Sequence, residues 1–183
     1  FAPQASVFAG WNTKYLDIQT GGLVYGDDHP YLGMSGKVSD EFSYELMYIT
    51  VQDDINVKPE EGSRISPFDA DALDWRVYSL KGIFKPGKDF VVSPFYALSD
   101  NDEVSSSNAM ANYFGVEAYG PMGILTPRLE AVYVMGETGH PLAGGPKYDI
   151  SAWAMYSSFE FNVCNEFKPY LGLAIASGDG DDT

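Results

Sequence analysis

Residues able to carry acid–base, nucleophilic or metal chemistry are few in this sequence, and they are scattered. His29 and His140 are the only histidines, each followed by a proline in a loop-like stretch, so a histidine-centred triad or zinc site has little material. Cys164 is the single cysteine; it cannot form an internal disulfide and reads as a free thiol in a short turn. No glycine-rich loop is followed by the lysine that would cradle a phosphate. Asp179, Asp181 and Asp182, spaced by Gly178 and Gly180, are the candidate calcium ligands, because Asp alternating with Gly presents several oxygens on a flexible backbone. The twelve-residue loop with its closing Glu is missing, so a solvated acidic loop is the alternative. Serine, histidine and acidic residues do not converge on any one segment, so no enzyme is expected, and no cofactor beyond that calcium. What remains is electrostatic: Lys37, Glu45, Lys81, Glu117, Arg128, Glu130, Asp149 and Lys168 stand out as charges placed within alternating segments.

The segments that hold those charges are strands. Over residues 31–38, Leu32, Met34 and Val38 share one parity while Tyr31, Ser35 and Lys37 share the other, and Ser39-Asp40-Glu41 then turns the chain. Residues 42–50 alternate Phe42, Tyr44, Leu46, Tyr48 and Thr50 against Ser43, Glu45, Met47 and Ile49. Residues 75–84 and 90–99 form the next pair around Pro86-Gly87, with Pro94 expected to mark a bulge or a local irregularity because it lacks a ladder donor. Residues 111–119 and the alternation around Leu129–Met135 flank Gly120-Pro121-Met122-Gly123. Residues 148–156 and 167–177 flank the turn at 162–166. This makes eight strands over residues 31–183. Residues 1–30 read either as an additional strand pair or as a folded constriction loop.

The connections alternate strictly. Short turns follow the first, third, fifth and seventh strands, and long polar stretches at 53–74, 100–108 and 136–146 follow the others. Soluble sandwiches have no reason to alternate in this way, whereas outer-membrane barrels have short turns on one side and long loops on the other. The expectation is therefore that the four short turns lie at one end and the long connections at the opposite end.

Composition agrees with this reading. There are 183 residues, enough for one domain, with 11 Lys plus Arg against 26 Asp plus Glu for a net charge of -15, a field that repels nucleic acid. Aromatics at 15% and 19 glycines favour strands and tight turns. The longest uncharged stretches fall short of the roughly 20 apolar residues of a spanning helix, but barrel strands need only about 9–11 alternating residues. Apart from strand ends, one parity carries Leu, Val, Ile, Phe, Tyr, Met, Ala, Gly and Thr without formal charge, a surface hydrocarbon accepts. Closure is then required, since an open edge in lipid leaves backbone groups unpaired. The charges on the other parity belong in a wet lumen. Aromatics near the short turns, including Phe42, Tyr44, Phe84, Phe90, Tyr119, Phe159, Phe161 and Phe167, suit an interfacial belt. A soluble ligand-binding β-barrel would instead place the apolar parity inside.

The stretches at 42–52, at 111–119 with Gly120-Pro121-Met122, and at 171–176 with Ser177-Gly178-Asp179 resemble the large outer-membrane porins of Gram-negative bacteria, with an organisation shared by alginate-export-type channels. The resemblance is one of pattern and covers residues 31–183. It implies an all-β, transmembrane, antiparallel up-and-down barrel in the outer membrane, a single barrel domain over residues 1–183 and a fragment of a larger barrel. Its surroundings would be outer-membrane lipid and lipopolysaccharide, its cargo small hydrophilic solutes diffusing passively, with homo-oligomerisation left open. The eight charges named above would line the pore, nearly balanced in sign. The acidic excess in Asp53, Asp54, Glu60, Glu61, Asp69, Asp71, Asp100, Asp102, Glu103 and the last three aspartates would confer a weak cation preference. A barrel scaffold that holds a partner protein is the alternative from another functional class.

Overall fold

The computed structural model describes residues 4–15, 26–52, 75–87, 89–101, 109–138 and 148–177. They form nine strands: β1 (Gln4–Tyr15), β2 (Gly26–Lys37), β3 (Phe42–Gln52), β4 (Trp75–Phe84), β5 (Val91–Asn101), β6 (Ala109–Tyr119), β7 (Leu125–Glu137), β8 (Asp149–Phe161) and β9 (Tyr170–Ala176). The eight strands read from residue 31 onward are β2 to β9. Residues 4–15 and 26–30 add β1 and the first turn of the ladder in β2.

All nine join one sheet in chain order, every neighbour antiparallel. The expected closure is not seen: the sheet is open, with β1 and β9 at its edges. Eight of the strands are 10 to 13 residues long. Strands of globular proteins peak at about 5–6 residues, whereas membrane-barrel strands need about 9–11.

Antiparallel order fixes where the connections go. The strand ends flanking residues 38–41, 85–90, 120–124 and 162–169 share one edge of the sheet. The ends that lead to the connections at 16–25, 53–74, 102–108 and 138–148 share the other. The short turns are held by their own backbone: Val38 N donates to Phe42 O at 2.9 Å, and Met122 N donates to Leu125 O at 2.6 Å.

Two irregularities follow from backbone chemistry. The β4–β5 register runs unshifted from Lys81↔Phe95 to Phe84↔Val92 but omits the two pairs between them, beside the proline at position 94 that has no N–H. Of the two forms expected at Pro94, the structure has the local irregularity: a gap in the ladder without a slip. The register slip lies in β3, between Thr50 and Gln52.

Side-chain parity divides the sheet into two unlike faces. One holds most of the buried side chains of the central strands, among them Met47, Ile49, Val77, Phe95, Ala97 and Val132. The other displays Val7, Trp11, Leu32, Leu46, Leu80, Phe114, Val116, Tyr133, Trp153 and Met155, all exposed. We call these the inner and outer faces. On the outer face, apolar ridges border two shallow grooves of about 440 and 420 Å³, one along Phe114, Tyr133, Trp153 and Met155 and one along Val7, Leu32, Leu46 and Tyr78.

Candidate functional site: the charged inner face

Register brings most of the predicted charges onto the inner face. Glu45 of β3 lies opposite Lys81 of β4. Two strands on, Ser93 of β5 lies opposite Glu117 of β6, Glu117 opposite Glu130 of β7, and Glu130 opposite Tyr156 of β8. Arg128 faces Ser158 on β8 and Tyr119 on β6. The period-2 alternation of each strand puts these polar residues on one side, and the ladders then align them across strands.

Their burial is unexpected for residues read as a wet wall. Glu117 and Glu130 are each 2% exposed, beside Ser93 at 1% and Ser158 at 2%. Directly opposed residues hold their Cβ atoms about 4.5–5.5 Å apart, and like charges so placed repel. Lys81 supplies a counterion, its Nζ 3.2 Å from Glu117 Oε1. An isolated buried charge costs several kcal/mol, so a buried carboxylate requires such a partner. The cluster is a dry electrostatic fixture in the middle of the sheet.

The remaining predicted residues lie elsewhere. Lys37 is exposed at the end of β2, and Glu45 and Arg128 are half-buried on the inner face. Asp149 departs from the sequence reading: it opens β8 opposite Glu137, on the outer parity shared with Trp153 and Met155, and is exposed. The two-residue period of the strand decides this: Tyr156 faces Glu130 on the inner side, and Asp149, seven residues away, falls on the opposite one. Lys168 is exposed in the β8–β9 connection, since β9 starts only at Tyr170. Tyr119, read as part of an outer belt, lies on the inner face opposite Val91, which is buried. The calcium candidates Asp179, Asp181 and Asp182, and His140, lie outside the described residues. Among those described, no group of three or more His, Cys, Asp or Glu could hold a metal.

Sequence reasoning missed one feature of the outer face. Arg76, Asp100, Glu137 and Asp149 fall in a single register row through Met110, at the end of the sheet from which the long connections leave. Between that row and the short turns, the described outer positions of β3 to β9 carry no formal charge.

At the short-turn end, Lys37 Nζ lies 2.7 Å from Asp40 Oδ1. The hydrogen bond and then the charge of Lys37 hold the Asp40 carboxyl below its ordinary value. A depressed acid contributes stability above its unfolded value and loses it as pH falls through the folded one. Both partners are largely exposed, so the contribution is small and screened. The expected NMR result is an Asp40 midpoint below that of a model peptide, returning toward it in Lys37→Met or at 1 M salt; an unchanged midpoint in Lys37→Met contradicts the assignment.

Compared with known protein families, curated proteins and solved structures, the chain significantly matches none of them.

Proposed function

We propose that this chain forms part of the wall of a transmembrane β-barrel in the outer membrane of a Gram-negative bacterium. The assembled barrel admits small hydrophilic solutes by passive diffusion and does no covalent chemistry. One observation carries this reading: the face that is apolar, and free of charge between its row of Arg76, Asp100, Glu137 and Asp149 and the short turns, is the exposed face, and Glu117, Glu130 and Lys81 lie on the buried one. In water such a surface is a severe liability, because exposed apolar patches beyond a few hundred Å² mark contact with membrane or protein. In lipid it is the required wall. A soluble calyx would hold the same parity inside.

Lipid also demands closure, since unpaired edge groups cost several kcal/mol each. Because the strands alternate in direction, β1 and β9 run the same way. An all-antiparallel wall therefore includes at least one strand besides these nine. A larger barrel also leaves room for water, whereas about eight strands enclose only side chains.

A second reading, a barrel that holds a partner, is favoured by one feature. Part of the inner face is apolar and buried, at Met47, Ile49, Val77 and Ala97. Conductance separates the two. Purified protein in a planar bilayer is expected to open ion-conducting steps, with a reversal potential showing weak cation preference at low KCl. The preference should fade at high KCl, as the Debye length falls from about 30 Å at 0.01 M to about 3 Å at 1 M. The balanced inner wall contributes little to it, and the acidic connections contribute most. Protein that inserts but never conducts removes the channel reading, and anion preference at low salt removes the charge argument.

A further inference from the structure

The two ends of the outer face are not alike. At the end of the long connections, the row of Arg76, Asp100, Glu137 and Asp149 bounds the apolar surface. At the other end nothing charged intervenes on the outer parity before the turns, and the turns themselves carry exposed apolar side chains. Val38 is 61% exposed, Met122 63%, Ile124 70%, Val163 63% and Phe167 60%. They come from three of the four short connections and continue the strand residues Phe42, Phe84 and Phe161, which are also exposed.

The backbone there is closed on itself by hydrogen bonds. Met122 and Leu125 exchange both hydrogen bonds, as do Cys164 and Phe167. Neighbouring hairpins are tied together as well: Asn162 N donates to Ile124 O at 2.7 Å, Lys85 N to Glu41 O at 2.8 Å, and Asn162 Nδ2 to Thr126 Oγ1 at 3.0 Å. Such closure makes the turns compatible with a low-polarity boundary, which penalises each unmet N–H and C=O. The charges that accompany the apolar residues, Asp40, Glu41, Lys85, Asp89, Glu166 and Lys168, are exposed and suit the headgroup zone, where apolar bodies and charged tips coexist.

We propose that Val38, Met122, Ile124, Val163 and Phe167 seat the short-turn end in the acyl–headgroup boundary of the bilayer, making these turns a lipid-contacting rim. The charged end then meets water directly, so the chain grips one leaflet boundary with turns and the other with a row of charges. This rests on the membrane reading above, and the test separates the two.

Cys164, the only cysteine, is exposed within that rim, so an environment-sensitive fluorophore can be attached without substitution. The labelled protein is reconstituted into phosphatidylcholine vesicles, plain or brominated at shallow or deep acyl positions. Emission at Cys164 is expected to be blue-shifted and quenched more by the shallow bromine than by the deep. A second label at Leu80→Cys in a Cys164→Ser background reports the middle of the outer face, where Leu80 is 49% exposed, and should be quenched best by the deep bromine. Val116→Cys serves equally if Leu80→Cys does not fold. A quenched mid-face label with an unquenched Cys164 label, whether its emission is water-like or shifted by a protein partner, overturns the rim and leaves the membrane reading standing. Mid-face labels that no bromine quenches overturn the membrane reading itself.

Discussion

Replacement of Lys81 by Met is expected to destabilise the protein by about 3–5 kcal/mol, the usual consequence of removing one partner from a buried ion pair. Lys81 is 13% exposed by side chain and Glu117 2%, with 3.2 Å between Nζ and Oε1. Met fills the volume but removes the cation that sits beside Glu117, whose carboxylate already faces that of Glu130 across the ladder. Coulomb attraction lost in a poorly hydrated site is not recovered from solvent. The loss should show in denaturant unfolding followed by tryptophan emission, as a lower midpoint at unchanged slope. Adding Glu117→Gln to Lys81→Met removes the carboxylate that Lys81 faces, so the double variant should recover much of the loss, as coupled neighbours do in a double-mutant cycle. A loss below about 1 kcal/mol, typical of exposed pairs, would show that water reaches the cluster.

The second large effect concerns Gly120, where β6 enters the turn toward β7. Its φ is +153°, a region populated almost only by glycine. A Cβ added there would stand 2.7 Å from Phe90 Cα and press on the backbone carbonyl of Asp89. The obstacle is main chain, which cannot rotate aside. Strain of about 1–3 kcal/mol and overpacking of about 1–3 kcal/mol act together, so Gly120→Ala should cost roughly 2–6 kcal/mol. Gly123, with φ +67° and nothing within 4 Å of its Cβ position, isolates the dihedral penalty alone. Gly123→Ala should therefore cost only about 1–2 kcal/mol. Equal losses at the two glycines would mean that the approach of Asp89 and Phe90 to the turn contributes nothing.

Legibility differs from element to element. Strand β3 was readable because Glu45 marks its polar side and Phe42, Tyr44, Leu46 and Tyr48 its apolar side. In β8 the charge of Asp149 suggests that its side is the inward one, but Trp153 and Met155 share that parity and are exposed, and the pairing of Glu137 with Asp149 sets it on the outer face. Gly26–Pro30 was obscure because its mix of Gly, Asp, His and Pro has strand character only through pairing with β1. The dryness of Glu117 and Glu130 had no sequence signal at all, since burial depends on which side chains from other strands crowd around them.

The sequence by itself determined the class of the elements and, from residue 31 onward, their order. Alternation with period two, glycine and proline at the short turns, and polar stretches after every second strand each act within a few residues, and so they could be read locally. Tertiary structure decided what depends on distant residues: the nine-strand order and its open edges, the register that sets Glu117 against Glu130 and within reach of Lys81, and the row of Arg76, Asp100, Glu137 and Asp149. It also decided which face is buried. The same alternation builds a sheet with its apolar side hidden or displayed, and only the packing of the whole sheet chooses between them.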